Sequence, residues 1–134
     1  MRADPRPLRV LIVDDCHDTA ESFRELFLLY GHEARSAESG AEAMTLIEGW
    51  RPDVAILDLA MPRMSGYELA PLVRATGCGL LVAMTGWCTP EHRAHAAEAG
   101  FDHCLIKPVD PDVLTDLLRT LAAHLLERSS HVVQ

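Results

Sequence analysis

Val54-Ala55-Ile56-Leu57-Asp58-Leu59-Ala60-Met61-Pro62-Arg63-Met64-Ser65-Gly66 decides the fold. Its four leading apolar residues show no polar alternation, which is the pattern of a strand buried on both faces in a parallel sheet. The carboxylate of Asp58 falls where that strand becomes a loop. In open α/β folds, ligands bind at this C-terminal edge of the sheet. A second apolar run, Leu11-Ile12-Val13, ends the same way, on Asp14 and Asp15. Three carboxylates gathered on one edge repel one another and call for a cation.

Outward from this stretch, strand-like and helix-like segments alternate along the whole chain. That order implies an α/β, doubly wound parallel sheet with helices on both faces. Strands are expected at Leu8–Val13, weakly at Glu33–Ser36, at Val54–Leu57, at Gly79–Met84 and at Cys104–Ile106. The spacing of Asp18 to Glu21 suggests a capping box for a first helix carrying Phe23, Leu26, Phe27 and Tyr30, stopped by Gly31. Ser39 with Glu42 opens a second, carrying Ala43, Leu46, Ile47 and Trp50. Ser65 with Glu68 opens a third, which Pro71 should distort or shorten. Thr89 caps a fourth with Pro90 at its first position, alanine-rich and closed by Gly100. Asp110 and Pro111 start a fifth with a stripe of Leu114, Leu118, Leu121 and Leu125. One domain over residues 1–128 and a flexible tail over 129–134 is the expected organisation, with no repeat or linker.

The 134 residues suffice for one domain with a real core, and a hydrophobic fraction of 49% suits a soluble globular chain. Its net charge of -8 argues against nucleic acid as a partner, because phosphate binding draws on a surplus of lysine and arginine. No apolar run approaches the roughly 20 residues of a membrane span. The N-terminus lacks the apolar core and cleavage site of a signal peptide, so a cytoplasmic location is expected, with no membrane contact. Cys16, Cys78, Cys88 and Cys104 form no C-x-x-C pair and read as free thiols.

In the doubly wound arrangement, Asp14, Asp15, Asp58, Thr85 and Lys107 all fall on one rim. A single Asp at a strand end is ordinarily a cap, a Thr before Gly is turn chemistry, and a Lys before Pro is a solvated strand end. None of those readings explains the convergence. The pattern resembles the receiver domain of two-component response regulators, through Asp14-Asp15, Asp58-x-x-Met61-Pro62-x-Met64-x-Gly66, Thr85-Gly86 and Lys107-Pro108. The resemblance spans nearly the whole chain. It implies a flavodoxin-like sheet in the order 2-1-3-4-5 with five helices, and a cis Lys107–Pro108 bond. It makes Asp58 a phosphoacceptor, supplied by a sensor histidine kinase or a histidine phosphotransfer protein and signalling to an unknown output protein.

A carboxylate can attack phosphorus, but clustered negative charge opposes the incoming phosphoryl group. A hard divalent cation with oxygen ligands answers this, and the resemblance implies Mg2+ (or Mn2+). It implies that Asp15, Asp58 and the Ala60 carbonyl are ligands, that Asp14 acts through water, and that Lys107 and Thr85 contact the phosphoryl oxygens. A receiver cut from a hybrid sensor kinase, serving an intramolecular relay, is the alternative, since the Trp87 loop and Phe101-Asp102-His103 resemble such modules. A hydrolytic phosphatase with an Asp nucleophile would need an acid where Ala60 stands, and a binding module without phosphorylation would not need the full acceptor set.

Three departures from the family pattern carry expectations of their own. Cys104 occupies the position, three before Lys107, where the family carries a switching aromatic, so a weaker or differently routed change is expected in the face formed by the last two helices and fifth strand. Ala60 and Trp87 occupy the positions that govern water access, and neither orients an attacking water, which predicts a long-lived aspartyl phosphate. Trp87 either shields the site or packs on its loop. Cys88, His92, His95, His103 and Cys104 invite a zinc reading through the spacing of Cys88, His92 and His95, but structural zinc usually takes four closed ligands and these are also ordinary solvated helix positions. The leucine stripe of the last helix suits a homodimer or docking on the sheet equally.

Overall fold

The centre of the sheet is built from the three most apolar runs in the chain, and their position follows from that composition. The computed structural model describes residues 7–87, 89–120 and 123. Its elements are β1 (Arg9–Val13), α1 (His17–Leu29), β2 (Glu33–Ala37), α2 (Gly40–Leu46), β3 (Val54–Asp58), α3 (Gly66–Arg74), β4 (Leu80–Thr85), α4 (Pro90–Glu98) and β5 (His103–Ile106). A final helix, α5, covers 111–120. The strands are all parallel, in the order β2-β1-β3-β4-β5. Every residue of β3 and β4 is buried, whereas β2, on the edge, buries only Ala37. The registers Val13↔Leu57, Asp58↔Met84 and Thr85↔Ile106 bring the strand ends to one rim.

Alternate strand residues serve two cores. Leu11, Ala55, Leu57, Leu81 and Ala83 meet Ala43, Leu69, Val73 and Ala96 of α2, α3 and α4 on one face. Val10, Ile12, Ile56, Val82 and Met84 meet Phe23, Phe27, Leu114 and Leu118 of α1 and α5 on the other. Fully burying a side chain such as Phe27 or Leu114 contributes about 1.5–3 kcal/mol. Leu114 and Leu118 thus dock on the sheet, and Leu121 and Leu125 lie outside the described residues. So does the division expected between 128 and 129.

Local signals hold at most helix starts. Ser65 and Glu68 make both halves of the capping box, and Thr89 Oγ1 accepts from the His92 N–H beside Pro90. Ser39 Oγ accepts from Glu42 N–H, but Glu42 turns its carboxylate to the Glu38 N–H instead. The first helix departs from expectation: Cys16, not Asp18, is its N-cap, and it begins at His17. The cause is Asp14, whose Oδ1 accepts the Cys16 N–H at 2.9 Å and turns the chain early. α2 stops at Leu46, short of Trp50, and Gly49 takes a left-handed φ of 70°. The Trp50 ring is instead buried, with the Arg35 guanidinium 4.5 Å from its centroid. Pro71 does not end α3, which continues to Arg74.

Arg74 anchors that helix end. Its guanidinium donates to the carbonyls of Cys78, Gly79 and Gly100 and to Asp102 Oδ2, tying α3 to the starts of β4 and β5. Among the described residues no helix is long and apolar enough to cross a membrane.

Candidate functional site

Each rim residue is aimed by its own backbone. Asp14 Oδ1 accepts the Cys16 N–H, Asp58 Oδ1 accepts the Ala60 N–H at 3.0 Å, and Thr85 Oγ1 accepts the Trp87 N–H at 3.1 Å. All three are the same short turn, in which a side-chain oxygen binds the N–H two residues on. Each acid so engaged spends one oxygen on its loop and presents the other to the rim. The strand ends are further fixed by Asp14 N–H to Ala37 O, Leu59 N–H to Met84 O and Lys107 N–H to Thr85 O, at 3.0, 2.9 and 2.8 Å. The loop after Asp58 turns at Arg63, a non-glycine residue at a left-handed φ of 69°. It returns at Gly66, where an added Cβ would stand 2.6 Å from the Asp58 carbonyl oxygen.

The sequence-predicted residues do come together. One oxygen each from Asp14, Asp15 and Asp58 lies within 4.8 Å of the other two. Asp14 is fully buried, Asp58 and Thr85 are buried, and Asp15 is exposed. Lys107 follows the cis Lys107–Pro108 arrangement expected, with Nζ 2.7 Å from Asp14 Oδ2 and 3.1 Å from Asp58 Oδ2. Ala60 sits in the loop two residues past Asp58, exposed.

Burial raises the Asp14 carboxyl above its ordinary range, and its contacts with Lys107 and the Cys16 N–H only partly oppose this. For Lys107, burial alone would lower the pKa, but its pairing with the charges of Asp14 and Asp58 outweighs it and the net shift is upward. The contact at Asp14 Oδ2 is between charges: this buried oxygen has no well-directed hydrogen bond, although the ammonium is close. Three acids against one ammonium, with a buried oxygen short of a partner, suit a small, hard divalent cation. Flanking the rim, His17 Nδ1 lies 2.6 Å from Glu38 Oε2, a pairing that raises the exposed imidazole's pKa.

Trp87 is 73% exposed, so packing on its loop does not account for it. Of the three residues at zinc spacing, Cys88 lies outside the described residues, His92 is bound to Thr89 Oγ1, and His95 stacks on Tyr67. Among the described residues the acid trio is the cluster of possible metal ligands. Sequence reading missed the close approach at Gly66, whose signal was the glycine three residues before the apolar face of α3 begins at Leu69. It also missed Tyr67, for which no local signal exists.

A family model for the response regulator receiver domain matches residues 10–119. A response regulator MprA from Mycobacterium sp. (strain KMS) is 37% identical over 125 residues, covering 92% of this chain and 53% of that protein. Its counterpart in Mycolicibacterium vanbaalenii is 35% identical over 116 residues, covering 86% and 50%. The chain therefore spans about half the length of these curated relatives. Among solved structures, Vibrio cholerae chemotaxis protein CheY4 is similar at a TM-score of 0.80 and 28% identity, covering 86% of this chain and 98% of that one. A CheY-like receiver domain protein from Methanospirillum hungatei aligns at a TM-score of 0.78 and 28% identity, over 90% and 98%.

Proposed function

Because this chain belongs to the response regulator receiver domain family, we propose that Asp58 accepts a phosphoryl group from a phosphohistidine of a sensor histidine kinase or histidine phosphotransfer protein. A carboxylate oxygen of Asp58 attacks phosphorus, and the P–N bond breaks with its electron pair passing to the donor imidazole, which takes up a proton. Lys107 leaves Asp58 for the phosphoryl oxygens and neutralises the charge that develops there. The Thr85 hydroxyl, whose oxygen already accepts from Trp87 N–H, keeps its own proton to donate to the same group. Asp14, Asp15, Asp58 and the Ala60 carbonyl would hold Mg2+ or Mn2+, which when bound offsets negative charge between the acids and the phosphoryl group. The domain acts once per phosphorylation rather than turning over a substrate, and its signal passes by protein contact in the cytoplasm.

The observation that carries this reading is the convergence of Lys107 Nζ on two buried acids, with a third within 4.8 Å. Incubation with acetyl phosphate and Mg2+ should add one phosphoryl mass that Asp58→Asn abolishes. A protein that gains no mass, or an Asp58→Asn variant that still gains it, overturns the reading. The absence of a water-orienting side chain at Ala60 also makes the aspartyl phosphate long-lived. Ala60→Glu, which supplies a carboxylate beside the acceptor, should shorten that lifetime; an unchanged decay would count against it.

A further inference from the structure

Cys104 leaves β5 without a ring near the rim, yet an aromatic side chain from another element occupies the neighbourhood. Tyr67, on the first turn of α3, stacks on His95 of α4 with ring centroids 4.1 Å apart and planes at 11°. It meets Phe101 edge-on at 6.3 Å and 82°. Tyr67, Cys104 and Ala99 all pack against the core on this side of the sheet. Burial, and secondarily the Cys104 thiol, raise the pKa of the Tyr67 phenol, as proximity of the two requires.

Two further observations link this stack to the acceptor. Gly66, adjacent to Tyr67, approaches the Asp58 backbone so closely that an added Cβ would lie 2.6 Å from its carbonyl oxygen and 3.1 Å from Leu59 Cα. Any displacement of Asp58 and its loop is therefore passed to the first turn of α3 through packed backbone. At the other end, α4 is weakly held: Ala96 is its one buried residue, and a methyl group offers little grip. The ring stack adds an aromatic contact to that one buried methyl group.

We propose that Tyr67 is a positioning residue that couples the state of Asp58 to α4 and β5 through its stack on His95, in place of a switching ring on β5. The coupling needs a ring at position 67 but not its hydroxyl. It rests on Asp58 being the phosphoacceptor, and the test separates the two claims.

Amide shifts of the full chain are recorded with Mg2+, before and after beryllofluoride, which mimics the phosphoryl group on a carboxylate. The wild type should respond at residues 59–61 and 85–86 and along α4. Tyr67→Leu and His95→Ala should keep the response at 59–61 and 85–86 but lose about threefold or more of the α4 response. Tyr67→Phe should restore it. His95→Ala changes an exposed position and guards against a misfolded Tyr67 variant. Wild-type α4 shifts in Tyr67→Leu or His95→Ala overturn the coupling and leave the acceptor reading intact. A wild type silent at 59–61 and 85–86 overturns the acceptor reading and the coupling with it.

Discussion

Gly66→Ala places a methyl group 2.6 Å from the Asp58 carbonyl oxygen and 3.1 Å from both Asp58 C and Leu59 Cα. An ordinary carbon–oxygen contact is about 3.3–3.6 Å, so α3 and the end of β3 must separate by roughly 0.7 Å or more. Because every clashing atom is backbone, no side chain can swing away, and overpacking of this kind costs about 1–3 kcal/mol. Alanine recovers at most about 1 kcal/mol of helix propensity, and less in the first turn. The net loss is on the order of 1–2 kcal/mol, or about 4–8 °C in melting temperature for a domain of this size. The displaced atoms belong to Asp58, the proposed acceptor, so acetyl phosphate labelling should slow on the order of tenfold. Thermal melts by circular dichroism and labelling followed by intact mass measure the two effects. Gly86→Ala is the control: nothing lies within 4 Å of its added Cβ, and it should melt with the wild type. A Gly66→Ala protein with wild-type melting and labelling would refute the close-approach argument.

Asp14 supplies a pH test, because burial raises its folded pKa above the ordinary 3.8. Above that value the unfolded chain has released a proton that the native state still holds, so metal-free stability falls as pH rises. Asp14→Asn should therefore gain on the wild type in urea midpoint with chelator as pH climbs from 4 toward 7, and Mg2+ should narrow the gap; a gap that closes with rising pH would contradict it. Arg74→Ala removes bonds to three carbonyls and Asp102 and should cost about 1–3 kcal/mol in urea unfolding while leaving Asp58 labelling intact, since the partly exposed ion pair itself contributes little. Cys78, buried with its thiol pushed up to about 11, holds about one thiolate in a thousand at pH 8. Iodoacetamide on native protein should label exposed Cys16 long before Cys78, read by peptide mapping.

The features legible in the sequence are those that local chemistry or the two-residue strand period controls. Continuous apolar runs place β3 and β4 at the sheet centre, and Asp14, Asp58, Thr85 and Lys107 reach one rim because parallel strands end together. The Ser65–Glu68 box reads correctly because its two bonds lie within four residues. The start of α1 misleads because Asp14 binds the Cys16 N–H and turns the chain before Asp18 can cap it. The extent of α2 misleads because the buried surface of Trp50 mimics a further helical turn, while Gly49 and the Arg35 contact hold it outside the helix. The Arg74 bonds to Gly100 and Asp102 and the Tyr67–His95 stack join residues 26 to 28 positions apart, and no spacing rule reaches that far.

The shallow seat of α4 bears on how such a domain diversifies. Only Ala96 of Pro90–Glu98 answers to the core, and exchanges at exposed positions usually alter stability by less than about 0.5 kcal/mol. Apart from His95, whose ring stacks on Tyr67, the outward positions of this helix can therefore be exchanged while the acid rim stays untouched. Chains that differ along this face would carry the same acid rim beside a different surface chemistry.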